Sequence, residues 1–128
     1  MKTYFENSAK NYLPIIRALI SDPLEEKSVE VDMVIDTGFQ GGVLIPLKTY
    51  LDLNLDLFEE MKATGETAIG GLVELRTSKV VIKLGKAKIK CSVYTTLGVK
   101  RSLMGREVLK ELGLLYRPPK ELKLGINL

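Results

Sequence analysis

Hydrophobic and polar residues alternate along much of the chain, which predicts a structure built mainly from β-strands. From Val29 to Ile35 every second side chain is apolar, whereas two acidic residues point to the other face. The segments 86–93 and 122–128 alternate in the same way. Each pattern is typical of a strand with one buried face, and the first of these strands runs directly into Asp36.

Pairs of small or polar residues predict where the strands turn. From about residue 57 the chain is expected to form two long β-arms. Gly70-Gly71 is expected to form the tip of the first hairpin, and Gly85-Lys86 the turn of the second. In the second arm, Cys91 alternates with apolar neighbours and is interpreted as a buried small hydrophobic residue.

The beginning of the chain lacks such a clear pattern. Residues 1–10 show no period, so we interpret them as an N-terminal extension that precedes one domain of residues 11–128. The apolar segment 12–20 contains Pro14. Because proline cannot donate a ladder hydrogen bond, this segment is predicted to be an edge strand.

Two short helices interrupt the strands. Pro46 is suited to the start of a helix of one to two turns, and residues 105–112 are predicted to form the second, which ends at Gly113. The expected apolar sides consist of Leu47, Tyr50 and Leu51 in the first helix, and of Met104, Val108, Leu109 and Leu112 in the second.

Composition narrows the possible chemistry. The 128 residues include no histidine and one cysteine, which excludes Ser-His-Asp and Cys-His hydrolases, histidine-ligated metals and intrachain disulfides. An enzyme built from this chain must therefore work with carboxylates, Lys, Tyr, Ser or Thr, or with a borrowed cofactor, and we expect no metal site. The net charge of +3 is too small to indicate nucleic-acid binding, and we interpret Lys86, Lys88 and Lys90 as a solvated strand face.

The same features suggest a compartment. A single cysteine fits a reducing environment, the apolar runs are shorter than a membrane span, and the first residues have no apolar core like that of a signal peptide. We expect a cytoplasmic protein that does not bind a membrane.

The tripeptide Asp36-Thr37-Gly38 carries the candidate chemistry. A strand that ends in an aspartate fixes the carboxylate, a threonine hydroxyl can lock the following loop, and glycine lets a substrate backbone approach closely. On its own, the tripeptide also fits an ordinary turn.

The tripeptide is stronger evidence for a catalytic loop because it is one part of three segments that occur in a fixed order. They are Val34-Ile35-Asp36-Thr37-Gly38-Phe39 with Leu44-Ile45-Pro46, then Ile69-Gly70-Gly71-Leu72, and finally Leu103-Met104-Gly105-Arg106-Glu107-Val108-Leu109. Together they resemble the active-site loop, flap tip and second signature of the retropepsin-like aspartic proteases (clan AA), and most closely the small single-domain prokaryotic members. The resemblance extends over roughly residues 12–114.

The resemblance implies a fold, an activity and a set of site residues. The fold would be an all-β acid-protease barrel of six or seven strands, with a flap hairpin and one or two short helices. The activity would be that of an aspartic endopeptidase, a peptide hydrolase, without a cofactor. Asp36, Thr37 and Gly38 would form the catalytic loop, and the substrate-binding residues would be Gly38, Ile69, Gly70, Gly71 and Leu72.

One departure weakens the inference about substrates. Retroviral members place a small residue and then acidic residues after the glycine, whereas this chain has Phe39, Gln40, Gly41 and Gly42. The acidic groups that grip the substrate backbone are missing, and an ion pair to Arg106 cannot be assumed.

A single Asp-Thr-Gly loop implies two chains. Aspartic protease chemistry uses two carboxylates that share one proton, and none of the other four aspartates lies in such a loop. A homodimer would supply the second Asp36, and the terminal strand 122–128 is a candidate for the dimer sheet. The alternative is a non-catalytic peptide-binding or dimerisation module with the same fold.

Overall fold

The computed structural model describes residues 2–6, 11–60, 63–66 and 72–125, and of residues 63–66 it describes the backbone only. The described residues form ten strands, two α-helices and one 3-10 helix. The elements are β1 (Lys2–Glu6), β2 (Leu13–Ser21), β3 (Ser28–Ile35), β4 (Val43–Leu44), α1 (Leu47–Asp52), the 3-10 helix (Leu55–Phe58), β5 (Ala63–Glu66), β6 (Leu72–Leu84), β7 (Ala87–Thr95), β8 (Ser102–Met104), α2 (Arg106–Leu112), β9 (Leu114–Arg117) and β10 (Glu121–Leu124).

Six strands close into a ring, which confirms the predicted all-β barrel. Neighbouring strands follow the order β1-β2-β3-β8-β4-β7-β6-β5, and an additional pairing joins β2 to β6. That pairing, in which Ile20 lies opposite Ile82, closes the ring β2-β3-β8-β4-β7-β6. Closure of the ring removes exposed sheet edges from its six strands. Strands β1 and β5 lie outside the ring, paired with β2 and β6.

The core lies inside this ring and extends under both helices. Alternation sends one face of each strand inward, so β2, β3, β6 and β7 contribute residues at every second position. Helix α1 adds a tyrosine and α2 adds three apolar residues. The largest fully buried side chains include Tyr50, Ile16, Ile20, Met33, Ile82 and Met104.

Several local predictions are confirmed. The turn at Gly85-Lys86 joins β6 to β7, and Cys91 is a buried free cysteine. Helix α2 ends at Gly113, which has a φ of 78° and so adopts the backbone that glycine accommodates best. In α1, however, the prediction that Leu51 lies on the apolar side was wrong: Leu51 is 41% exposed, and the next buried side chain is Leu53, beyond the helix end.

The prediction of an edge strand at Pro14 was wrong. Strand β2 lies between β1 and β3, and it also contacts β6. Its pairing with β3 starts at Ile15, opposite Val34, so Pro14 precedes that ladder and needs no donor in it.

The ends of the chain are more ordered than their patterns indicated. Residues Lys2–Glu6, within the predicted extension, form β1 and pair with β2. Strand β10 pairs with β9, and its residues Leu122 and Leu124 belong to the core of their own chain. The hydroxyl of Thr3 donates to the carbonyl oxygen of Leu122 at 2.8 Å, which links the two ends. Within the part of the chain that the structure describes, no helix is both long and apolar enough to cross a membrane.

Candidate active site

Asp36 directly follows the carboxyl end of β3, beside β8. Strand β3 runs parallel to β8, with Ile35 opposite Met104. The backbone amide of Asp36 donates to the carbonyl oxygen of Met104 at 2.9 Å, which continues that ladder by one residue. A rigid pair of parallel strands therefore sets the position of the aspartate.

The loop after Asp36 orients its side chain. The amide of Gly38 donates to Asp36 Oδ1 at 2.9 Å, and the amide of Phe39 donates to the Asp36 carbonyl oxygen at 3.2 Å. Asp36 is half-buried, whereas Thr37 and Gly38 are exposed. One carboxylate oxygen is thus held by the backbone, and the loop presents its outer surface to solvent within the single chain.

The second signature packs directly on this loop. The amide of Gly105 donates to the Gly42 carbonyl oxygen at 2.8 Å, and the amide of Arg106 donates to the Phe39 carbonyl oxygen at 2.8 Å. A β-carbon on Gly105 would lie 2.6 Å from the Phe39 oxygen and would also overlap Gly41. Only glycine fits here, so the glycine of the second signature allows the start of α2 to hold the aspartate loop.

Within the segment 39–42, the two glycines have a steric explanation. The rings of Phe39 and Tyr94 pack edge to face, with centroids 5.9 Å apart. A β-carbon on Gly41 would lie 2.5 Å from the Tyr94 ring, and one on Gly42 would lie 2.7 Å from the sulfur of Cys91. Because β7 and the aromatic pair fill this space, an acidic side chain cannot replace either glycine without displacing its neighbours.

Arg106 does not make the ion pair that occurs in retroviral members of the family which the sequence resembles. Its side chain is exposed, and no acidic group among the described residues lies within salt-bridge distance of it. Its neighbour Glu107 instead accepts a hydrogen bond from the backbone amide of Ser92 at 2.9 Å. In this way α2 is tied to β7 without the participation of the arginine.

The described strands on either side of the predicted flap tip form the antiparallel pair β5–β6, which we call the arm. Ala63 lies opposite Leu75 and Glu66 opposite Leu72. The predicted substrate-binding residues Ile69, Gly70 and Gly71 lie outside the described residues. Leu72 is 76% exposed.

A cavity of about 340 Å³ adjoins the aspartate loop and reaches the arm. Asp36 and Gly38 form its polar part, and Thr96 lies at its side. The apolar wall consists of Phe39, Leu44, Val73, Leu75, Val99 and Leu103. The structure therefore brings the aspartate and one strand of the arm to the same cavity.

Sequence reasoning missed Val73 and Leu75. In an extended strand they share one face, and Leu72 lies on the other, so alternation from Leu72 onward could have identified them. Val99 and Leu103 follow β7 in the chain, and they reach the cavity only because the barrel closes. Nothing in their local pattern indicates this.

The base of the arm is held by a charged cluster. Arg76 Nε donates to Glu59 Oε2 at 2.9 Å, and Arg76 Nη2 donates to Glu59 Oε1 at 2.7 Å. The Arg76 guanidinium also lies 5.5 Å from the centre of the Tyr50 ring. Burial raises the pKa of Tyr50 to about 12, so its hydroxyl stays protonated and donates to Glu59 at 3.2 Å.

Two larger recesses lie on either side of Lys110, one between α2 and β7 and the other between α2 and the aspartate loop. The first, of about 570 Å³, is bordered by Ala87, Ile89 and Leu112 together with charged residues. It contains none of the predicted catalytic residues, so size alone does not identify the site. We take the smaller cavity as the candidate active site because Asp36 lies in it.

The fold is that of the retropepsin-like aspartic proteases. A retropepsin-like aspartic protease from Rickettsia conorii superposes with a TM-score of 0.65 and 19% identity, covering 96% of this chain and 86% of the other. The EIAV protease, in a complex with an inhibitor, gives a TM-score of 0.58 and 22% identity, covering 79% and 88%. No protein-family model and no curated protein sequence matches the chain. Identities this low show a common fold, which confirms the predicted resemblance at that level.

Proposed function

We propose that the protein is an aspartic endopeptidase that hydrolyses peptide bonds at the interface of a homodimer. The observation that carries the proposal is the setting of Asp36. Asp36 follows the parallel strands β3 and β8, and the Gly38 amide holds one oxygen of its carboxylate. The same residue borders an apolar cavity next to the arm. This arrangement supplies a fixed acid or base beside a space for a substrate side chain.

The mechanism requires a second carboxylate. In the dimer, Asp36 and its copy would share one proton and hold a water between them. One carboxylate would take a proton from this water as it attacks the peptide carbonyl, while the other would donate its proton to the carbonyl oxygen. The tetrahedral adduct would then collapse with cleavage of the C–N bond, the leaving amine would take the proton that the first carboxylate had received from the water, and no covalent bond to the protein would form. Thr37, exposed in the single chain, would brace the two loops against each other.

The substrate would be an extended peptide or protein segment. The apolar wall of the cavity favours apolar substrate side chains next to the scissile bond. Gly38 and, in the arm, Gly70 and Gly71 would offer backbone groups to the peptide main chain, as in β-strand addition. Ile69 and Leu72 remain proposed contacts at the tip of the arm. We keep the cytoplasm as the proposed compartment on the strength of the single cysteine.

A second candidate is a peptide-binding or dimerisation module without catalysis. It is favoured by Gln40 and Gly41, which stand in place of the acidic residues with which retroviral members grip the substrate backbone. Under this reading the cleft binds a chain segment and leaves it intact.

The two candidates are separated by incubation with a mixed peptide library followed by mass spectrometry, using the wild type and Asp36→Asn. The Gly38 amide can still donate to the side-chain oxygen of asparagine, so the loop should keep its shape. Loss of general acid–base function lowers the rate by about 10²–10⁴-fold or more. Asp56→Asn is the matched control, because Asp56 is exposed on the 3-10 helix. Cleavage that is equally fast in wild type and Asp36→Asn contradicts the proposed mechanism, and binding without cleavage favours the module.

A further inference from the structure

The recess between α2 and the aspartate loop is separate from the apolar cavity. It has a volume of about 410 Å³ and is bordered by Gln40, Gly41, Tyr94, Arg106, Glu107 and Lys110. Phe39 lies between the two spaces. It lines the apolar cavity, and its ring packs against Tyr94, which borders the recess. The recess is therefore continuous with the loop that carries Asp36.

The charges that border this recess are mainly positive. Arg106 and Lys110 lie four residues apart on α2, so their side chains extend from the same face of the helix. Neither has an acidic partner within 4 Å among the residues that the structure describes. The only acid in the lining, Glu107, accepts hydrogen bonds from the amide and the hydroxyl of Ser92.

This arrangement has no evident role in stability. Like charges four residues apart disfavour a helix slightly. The backbone amide of Arg106 binds the Phe39 carbonyl oxygen, but its guanidinium makes no hydrogen bond within the described part of the chain. The chain thus keeps two unpaired cations and the amide of Gln40 around one concave space.

The distance to the catalytic loop suits an extended peptide. Gln40 follows Asp36 by four positions, so their α-carbons are at most about 14 Å apart. An extended substrate covers about the same distance in four residues. A peptide whose scissile bond lies at Asp36 can therefore place a residue in the recess. This residue is within about four positions of the scissile bond.

We propose that this recess binds a carboxylate of the peptide, held by Arg106 and Lys110 with Gln40 beside it. The inference deepens the proposed function, on which it rests for the position of the peptide. An arginine fork accepts a carboxylate with two parallel hydrogen bonds, and a nearby lysine adds a second positive charge. The carboxylate belongs to an acidic side chain or to the C-terminus of the peptide.

The test compares peptide pools of about ten residues that differ at one fixed position, with glutamate in one pool and glutamine in the other. Both ends are blocked, and a third pool has the glutamine and a free C-terminal carboxylate. Binding to the Asp36→Asn protein is measured by fluorescence anisotropy, with the fixed position scanned along the peptide. We expect about fivefold tighter binding of one carboxylate pool, at one position, and a weaker preference at high salt. The second and third pools distinguish the two sources of the carboxylate.

Variants connect the preference to the recess. Arg106→Gln combined with Lys110→Gln should abolish it, and Arg106→Glu with Lys110→Glu should shift it toward peptides with lysine at the fixed position. Lys27→Gln with Lys86→Gln removes the same charge from exposed sites elsewhere and should leave the preference unchanged.

Binding and cleavage fail in different ways. If the wild type cleaves no peptide but Asp36→Asn binds the carboxylate pool more tightly, the proposed hydrolysis is wrong and the recess stands. Equal binding of the charged and neutral pools, a preference that survives the double glutamine variant, or no binding at all overturns the recess proposal.

Discussion

The α-carbon of Gly105 lies so close to the carbonyl oxygen of Phe39 that a β-carbon would approach this oxygen to 2.6 Å. Two segments that are distant in the chain meet at this point. One is the loop that carries Asp36, and the other is the start of α2. The contact explains why a glycine precedes the helix, and it makes the position of the aspartate loop dependent on α2.

Gly105→Ala should therefore destabilise the protein. The β-carbon would meet backbone atoms of Phe39 and Gly41, which cannot rotate away, so we expect a loss near the upper end of the usual overpacking cost, about 3 kcal/mol. Thermal or denaturant unfolding measures the change.

Gly98→Ala serves as the comparison. Its β-carbon would meet nothing within 4 Å, and the cost arises only from a φ of 90° in an exposed loop, about 1 kcal/mol. Equal stability of Gly105→Ala and wild type would show that the close approach is not a constraint on the fold.

The sequence was sufficient for features that depend on local periodicity. The strand before Asp36, the alternation of β7 and the end of α2 at Gly113 were all predicted, because burial of one face and turn chemistry act over a few residues. The pairing of β1 with β2 and of β10 with β9 was not predicted. Strands β1 and β10 also contact each other from opposite ends of the chain, as in the hydrogen bond from Thr3 to Leu122, which a local pattern does not encode.

The candidate site divides in the same way. Asp36, Thr37 and Gly38 were found from a short motif, and Leu103 entered only as part of the second signature. Val99 reaches the cavity wall through closure of the barrel, which a linear pattern does not encode, whereas the alternation of β6 could have indicated Val73 and Leu75. The steric reason for Gly41 and Gly42 also appears only when β7 is in place.

Arg76→Met should loosen the arm with little effect on global stability. It removes both hydrogen bonds to Glu59 and the contact with the Tyr50 ring. Because the ion pair is about one third exposed, we expect at most about 1 kcal/mol in overall stability. Hydrogen exchange of the β6 amides near Arg76 should become faster, and the proposed hydrolysis should show a raised KM.

Arg17→Met is a matched control for this prediction. Arg17 makes a comparable two-nitrogen contact with Asp32, at 2.8 and 3.2 Å, between β2 and β3. Its loss should leave exchange in the arm unchanged. Faster exchange of β6 in both variants to the same extent would argue against a specific role for Arg76.

The thiol of Cys91 should be unreactive in the folded protein. Burial, followed by the nearby charge of Glu107, raises the pKa of Cys91 to about 12, so almost no thiolate is present at pH 8. We expect very slow reaction with Ellman's reagent in buffer and rapid reaction in denaturant. A Leu97→Cys variant, with the new thiol at a position that is 83% exposed, should react at once in the folded state. Rapid modification of wild-type Cys91 would contradict its assignment as an inert core residue.

The shared use of two Asp36 residues can be tested by mixing subunits. Removal of the terminal strand is unsuitable for this purpose, because Leu122 and Leu124 are core residues and their loss would unfold the chain. Wild type and Asp36→Asn are instead refolded together in equal amounts. If chains pair at random, about a quarter of the dimers contain two aspartates, and a mixed dimer lacks one of the two carboxylates.

Activity per total protein should therefore fall to about a quarter of the wild-type value, whereas independent chains would retain about a half. Dilution of the wild type should lower the activity per chain in parallel with dissociation of the dimer. Sedimentation at the same concentrations measures this dissociation. Asp56→Asn mixed with wild type in the same ratio controls for refolding losses and should keep full activity. Retention of half the activity in the Asp36→Asn mixture, or full activity of a sedimenting monomer, would contradict the shared carboxylate pair, because each chain supplies one Asp-Thr-Gly loop.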